Sequence, residues 1–364
     1  MLFLNPALPD SWPKAQTPYQ EEALAFCRSW LQGQQRFTLY TSGSTGTPKP
    51  IELTRAQMRA SAQLTGQTLD LQTGDAALVC LNIRYVAGIM MLVRGLELGL
   101  PMTIIEPSSN PLLDFTPAID TFAFTALVPL QIQTILDGSP DKLPLLDGMK
   151  AILVGGAATS SALEKAISLI KAPVYATYGM TETVSHIALR RLNGPDASEL
   201  FTALKGVQLG TDARGCLHIT SAATNFDLIQ TNDVVELLPD SDAGNTQFRL
   251  LGRADRIINS GGVKVQPEQV EQLIYRVLTN RSLTIDTLPP RLFVAGLPDE
   301  RLGQRVVVIC EQVAIARQQW ATAQALIREK LGAYAVPKEV IPVARFLETP
   351  TGKIDQKATI AQIP

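Results

Sequence analysis

The sequence predicts an α/β large domain, mostly a parallel sheet covered by helices with a small β-barrel-like subdomain, followed by a smaller α+β C-terminal domain. Three observations lead there. From residue 55 to residue 177 short β-prone runs alternate with helical ones, the pattern of a parallel sheet wrapped by its crossover helices. Residues 187–220 are instead rich in glycine and β-formers. Turn signals at Asn193-Gly194-Pro195, Gly206, Gly210 and Arg214-Gly215 imply several short strands in succession. Beyond residue 255, β-prone runs at 291–296 and 305–312 precede a helical stretch at 320–331.

Taken in order, residues 20–31 carry Leu24, Phe26, Cys27, Trp30 and Leu31 at near-helical spacing, so a helix is expected. A short strand at 36–39 and another run at 51–54 flank a loop rich in small residues. Strands are then expected at 76–81, 102–105, 122–128, 151–154 and 174–177. Helices between them are expected at 58–69, 88–98, 130–136 and 161–170, the last capped by Thr159. In open sheets of this class ligands sit beyond the carboxyl ends of the strands, which is where the motif-bearing loops fall.

Bulk properties narrow the function. The 364 residues suggest two or three domains. A net charge of −2 with scattered Lys and Arg leaves no footprint for nucleic acid. The longest apolar runs, such as 122–135, are broken by Pro129 and fall short of the ~20 residues that span a bilayer. Residues 1–13 carry prolines and no basic region, so no signal peptide is expected. Four cysteines, Cys27, Cys80, Cys216 and Cys310, lie far apart, and two histidines are too few for a metal cluster. They read as buried thiols in a reducing compartment, and a cytoplasmic enzyme is expected.

The chain is organised around Tyr40-Thr41-Ser42-Gly43-Ser44-Thr45-Gly46-Thr47-Pro48-Lys49. Glycines let backbone approach an anion, hydroxyls and amides donate to phosphate oxygens, and the lysine adds positive charge. Its spacing is not that of the P-loop. This loop resembles the phosphate loop of the adenylate-forming superfamily of acyl- and aryl-CoA ligases, luciferases and peptide-synthetase adenylation domains. It departs only at Pro50, where glycine is usual. Other segments carry the same resemblance: Gly155-Gly156-Ala157, Tyr178-Gly179-Met180-Thr181-Glu182, Thr231-Asn232-Asp233, the stretch from Gly252 to Glu271, and Thr349-Pro350-Thr351-Gly352-Lys353. Asn232 replaces a usual glycine but tolerates the left-handed conformation. Family members place a longer segment before the phosphate loop, so most of one N-terminal subdomain is expected to be missing and a two-fold dimer to cover the gap.

The resemblance implies a carboxylic acid, ATP, Mg²⁺ and coenzyme A as ligands. It implies Thr41, Ser42, Gly43, Ser44, Thr45, Gly46 and Lys49 at the phosphates, Gly155, Gly156 and Ala157 under the adenine, and Tyr178 with Gly179 at the base. Thr181 would meet the α-phosphate, Glu182 would ligate Mg²⁺, and Asp233 and Arg253 would hold the ribose. Asp255 would be the hinge of a mobile C-terminal domain, Gly261 and Gly262 would pass the CoA arm, and Lys353 would serve adenylation. Domains are therefore expected at 1–254, with the β-rich part about 187–250, and at 255–364. In the segment Asn82-Ile83-Arg84-Tyr85, together with Thr183-Val184-Ser185-His186, the pattern is most similar to the o-succinylbenzoate–CoA ligases of menaquinone biosynthesis. Arg84, Tyr85 and His186 would then bind the acid, Arg84 taking its second carboxylate unless it is a surface ion-pair residue. Another aryl- or acyl-CoA ligase, or a binding homologue without turnover, are the alternatives.

Overall fold

The structure, a computed structural model, describes residues 1–40, 50–238, 246–279, 290–312, 315–348 and 354–363; Thr41 to Lys49 and Lys353 lie outside them. The chain opens with β1 (Leu2–Leu4) and α1 (Pro18–Leu31). Thr17 caps that helix by accepting from the Gln20 amide, and proline fills its first position. The antiparallel pair β2 (Arg36–Tyr40) and β3 (Pro50–Thr54) leads into α2 (Arg55–Thr68), closed by a reciprocal Thr54/Gln57 capping box. There follow β4 (Ala77–Val79), α3 (Val86–Leu98), β5 (Met102–Ile104), β6 (Phe124–Leu127) and α4 (Pro129–Gly138). Then come α5 (Leu143–Asp147), β7 (Ala151–Val154), α6 (Ser161–Ile167) and β8 (Val174–Gly179).

Strands β5, β4, β6, β7 and β8 hydrogen-bond in that order and are all parallel. Side chains alternate across a strand, so each one feeds two cores. Ala77, Val79, Phe124, Ala126, Ala151 and Leu153 join the core under α1, α2 and α3. Leu78, Leu127, Ile152 and Val154 join the core under α4, α5 and α6. Burial on both faces is why β4 and β7 read as unbroken apolar runs.

The strand-rich stretch continues this sheet rather than standing apart from it. It holds β9 (His186–Arg191), β10 (Phe201–Ala203), β11 (Gln208–Thr211), β12 (Cys216–Thr220), β13 (Ile229–Leu238) and β14 (Gln247–Arg253). Hydrogen bonds run from β8 through β9, β10, β14, β13 and β12 to β11, each step antiparallel. A second sheet follows, built from β15 (Ile258–Ser260), β16 (Val263–Val265), β17 (Leu292–Asp299), β18 (Gly303–Glu311) and β19 (Val340–Val343). Helices α7 (Pro267–Leu278) and α8 (Arg317–Leu331) cover one face of it; α9 (Gln356–Ile360) ends the described chain. Lys165 on α6 donates its Nζ to the Thr279 carbonyl just past α7, tying the two sheet systems together.

Cys27 and Cys80 are buried, and burial pushes both thiols up to about 12. Among the described residues no helix is long and apolar enough to cross a membrane.

Candidate active site

The loops after β7 and β8 leave the carboxyl edge of the parallel run side by side. Gly155 follows β7 where a Cβ would lie 2.2 Å from Thr177 Oγ1, so any larger residue would have to displace that hydroxyl. Gly156, Ala157 and Ala158 are exposed beyond it. The cap of α6 is Ser160, not Thr159: Ser160 Oγ accepts from the Leu163 amide, while the Thr159 hydroxyl turns to Glu164. That correction is local, because either hydroxyl suits a cap and only the exact turn geometry chooses.

After β8 the chain makes a strained turn. Val184 has φ +65° and ψ −51°, and the Ser185 amide donates to Thr183 O at 2.7 Å, a γ-turn rare for a β-branched residue. The buried Thr183 hydroxyl holds it, accepting from the Met180 amide at 3.0 Å and donating to Ser185 O at 2.8 Å. Such strain costs about 1–3 kcal/mol and persists where surroundings over-determine it. Its effect is to send neighbouring side chains opposite ways. Glu182 is exposed, whereas Ser185 and His186 turn into the core beside α2 and α3.

Glu182 forms no hydrogen bond or ion pair within the described residues. An unengaged carboxylate suits Mg²⁺, which characteristically takes one or two protein carboxylates together with substrate phosphates. No cluster of three or more acidic, His or Cys side chains able to cage a metal occurs among the described residues.

The inward side holds a residue that sequence reasoning missed. Arg94, in the middle of α3, is 2 % exposed. Its Nη2 donates to Ser185 Oγ at 2.7 Å and its Nε to Thr65 Oγ1 at 3.2 Å, while Nη1 faces Met91 Sδ at 3.9 Å. A guanidinium has five N–H donors, so oxygen is found for only part of it. Burial pulls its pKa down to about 10. His186 completes the cluster, with Nε2 3.3 Å from Thr65 Oγ1 and Nδ1 3.4 Å from Ser185 Oγ. Thr65 gives its own proton to Ser61 O, which assigns the imidazole proton to Nε2 and leaves Nδ1 to accept from Ser185. Burial first, then the Arg94 charge, holds His186 well below its ordinary pKa, so it is neutral.

That depression has a sign. The unfolded histidine takes up a proton as pH falls through about 6.5 while the folded one does not, so stability present above that value is lost below it. Melting temperature is therefore expected to fall between about pH 7 and pH 5 more steeply in the native chain than in His186→Gln. Identical slopes in thermal melts would contradict the assignment.

Arg84 lies elsewhere. Its side chain is 66 % exposed and doubly bonded to Glu22, at 3.1 and 2.7 Å. Tyr85 sits at the N-cap of α3. Tyr178, at the end of β8, is buried between Phe201 and Phe248, and its hydroxyl donates to Asp233 Oδ2 at 2.6 Å. Asp233 on β13 faces Arg253 on β14 in register; Arg253 Nη1 reaches Asp233 Oδ1 at 3.2 Å. The same guanidinium grips Asp255 with two bonds of 2.9 Å, holding that carboxyl below its ordinary range. Gly179 leaves no room for a side chain, a Cβ falling 2.2 Å from Ser185 O. Thr181 opens the short turn that carries Glu182. Gly261 and Gly262 make the β15–β16 turn with φ +57° and +83°, conformations that glycine adopts most cheaply, and a Cβ on Gly261 would also meet the Tyr334 ring at 2.4 Å.

A doubly covered parallel sheet with an antiparallel extension, glycine-bearing loops at its carboxyl edge and a second small sheet is the framework of an adenylate-forming ligase. The sequence profile of the AMP-binding enzyme family matches residues 11–207, and the chain belongs to that family, whose members of this kind are AMP-forming ligases. A solved acyl-CoA synthetase (AMP-forming)/AMP-acid ligase II-like protein from Dyadobacter fermentans is 43 % identical, covers 99 % of both chains and superposes with a TM-score of 0.65. The 2-succinylbenzoate–CoA ligase of Listeria monocytogenes is 26 % identical over 94 % of this chain and 73 % of its own length. O-succinylbenzoate coenzyme A synthetase from Bacillus subtilis, solved with ATP and magnesium ion, shares the fold at 18 % identity. Its TM-score is 0.69, over 89 % of this chain and 69 % of that one.

Proposed function

We propose that this protein is an ATP-dependent carboxylate–CoA ligase that converts o-succinylbenzoate to o-succinylbenzoyl-CoA in cytoplasmic menaquinone biosynthesis. The observation that carries the substrate is Arg94. Among the described residues no carboxylate lies within ion-pair distance of it. A buried charge without a partner is costly, and a substrate carboxylate arriving beside it would relieve that cost. The distal carboxylate is therefore assigned to Arg94, with Thr65, Ser185 and His186 around it, and not to Arg84, whose partner is already Glu22.

Chemistry follows in two steps. A carboxylate oxygen of the acid attacks the α-phosphorus of ATP, the bond to pyrophosphate breaks, and an acyl-adenylate forms. The thiolate of CoA then attacks the acyl carbon and AMP leaves. An ionised acid needs no general base. What the first step requires is positive charge and donors placed where phosphoryl oxygens gain charge. Lys49, the hydroxyls and amides of residues 41–46, Thr181 and Lys353 are assigned that task, and Asp233 with Arg253 the ribose. Mg²⁺ on Glu182 and the nucleotide would neutralise phosphate charge. Residues 1–254 form the core in this reading and 255–364 the lid, with Gly261 and Gly262 beside the CoA arm.

The broader name of the Dyadobacter relative favours a second reading, another aryl- or acyl-CoA ligase. Pyrophosphate release across a panel of acids, with thioester detected by mass, decides between them. The dicarboxylic aryl acid is expected to lead the panel; equal turnover of benzoate or a plain fatty acid would remove the assignment. In Arg94→Gln a lost charged hydrogen bond is worth about 1.5–3 kcal/mol, so KM for o-succinylbenzoate should rise roughly ten- to a hundredfold with KM for ATP little changed. If both rise together, Arg94 is structural.

A further inference from the structure

We infer that Tyr178 is a positioning residue of the nucleotide site, whose hydroxyl works with Arg253 to shape Asp233 into a receptor for a vicinal diol. The inference rests on the reading that Asp233 meets the ribose, and it adds how the carboxylate is prepared. A carboxylate offers about four lone-pair sites, two per oxygen. Here one site on Oδ2 takes the Tyr178 proton at 2.6 Å and one on Oδ1 takes Arg253 Nη1 at 3.2 Å. One site on each oxygen is left. Two acceptors on adjacent carboxylate oxygens match two neighbouring hydroxyls in number and spacing, and match a single hydroxyl poorly.

The geometry is built to hold. Asp233 is 9 % exposed and Tyr178 8 %. The tyrosine ring packs tilted on Phe201 at 5.8 Å and edge-on to Phe248 at 5.2 Å, so its hydroxyl has one direction to point. From the backbone side, the Asp233 amide donates to Thr231 Oγ1 at 3.0 Å, and that hydroxyl donates to Leu217 O at 2.8 Å. Arg253 cannot swing freely either, because Asp255 holds its other edge. Burial and the neighbouring carboxylate push the Tyr178 pKa up, so the phenol stays a donor throughout the neutral range. None of this is needed for packing alone. A phenylalanine would fill the same space between Phe201 and Phe248.

Tyr178→Phe keeps the ring and removes the proton. The measurement is calorimetric binding of ATP, 2′-deoxy-ATP and 3′-deoxy-ATP with magnesium, without acid or CoA. The native chain is expected to bind ATP roughly tenfold or more tightly than either deoxynucleotide, since each absent hydroxyl forfeits a charged hydrogen bond. In Tyr178→Phe the ATP affinity should fall and that ratio should shrink several-fold, because a carboxylate free to turn no longer presents both acceptors. Asp233→Asn should reduce the ratio to near unity, with no further loss on adding Tyr178→Phe. An unchanged ratio in Tyr178→Phe, equal weakening of all three nucleotides, or a ratio that survives Asp233→Asn each overturns the inference. Should Tyr178→Phe fail to fold, Arg253→Gln trims the other side of the carboxylate and is expected to narrow the same ratio; a ratio unmoved there also overturns it. A protein that shows the ratio yet activates no acid would remove the ligase reading and leave this one standing.

Discussion

Asp255→Pro is expected to separate the two half-reactions, leaving one nearly intact and lowering the other by orders of magnitude. Asp255 lies in a single turn of 3₁₀ helix, residues Ala254–Arg256, between the last strand of the large sheet and the first strand of the small one. A hinge there would let one or two backbone dihedrals carry the whole C-terminal sheet. The 3₁₀ conformation has φ near −50 to −70°, which proline's fixed ring angle also satisfies. Proline therefore suits the orientation described here and opposes departure from it. It also removes the bidentate Arg253–Asp255 pair, so Asp255→Ala is the necessary companion, losing the pair while keeping the dihedral freedom. The expected pattern is one half-reaction collapsed in Asp255→Pro and both preserved at saturating ATP in Asp255→Ala, which frees one edge of Arg253. Adenylate formation is read by pyrophosphate exchange, thioester formation from supplied acyl-adenylate. Both half-reactions within about twofold of native in Asp255→Pro would move the hinge elsewhere.

Lys353→Ala should show the second large effect, on the first half-reaction alone. Its placement in Thr349-Pro350-Thr351-Gly352-Lys353 is the sequence argument; the residue lies outside the described part of the chain. A cation aimed at oxygen that gains charge only in the transition state is worth about 10²–10³ in rate. Pyrophosphate exchange should fall by that order, while supplied adenylate is still converted to thioester. Equal loss in both assays would place Lys353 in a structural role or in both steps.

The two arginines of the segment around α3 show what residues alone could and could not decide. Arg84 stands in the segment Asn82-Ile83-Arg84-Tyr85, which carries the resemblance to the o-succinylbenzoate–CoA ligases. Arg94 carries no motif and stands ten residues further on, within Val86–Leu98. Yet α3 is otherwise almost wholly apolar, and that was the usable signal: a cation in a helix buried all round must find a partner inside. Which arginine points inward depends on contacts across 62 residues to Glu22 in one case and 91 to Ser185 in the other. Such distances are invisible to any local pattern.

By itself the sequence determined the elements, their alternation and therefore the carboxyl edge on which the site loops gather. Apolar period, caps and turn residues act within a few positions, so β7 was legible to its exact bounds. Tertiary structure decided the rest: that the strands after β8 extend the same sheet, that Ser185 and His186 face inward behind a strained Val184, and that Tyr178 spends its hydroxyl on Asp233, 55 residues away. Each depends on which polar group is left inside the packed core without water. That is settled only when distant segments meet, because burial makes an unpaired donor or acceptor costly and a local sequence pattern carries no record of its partner.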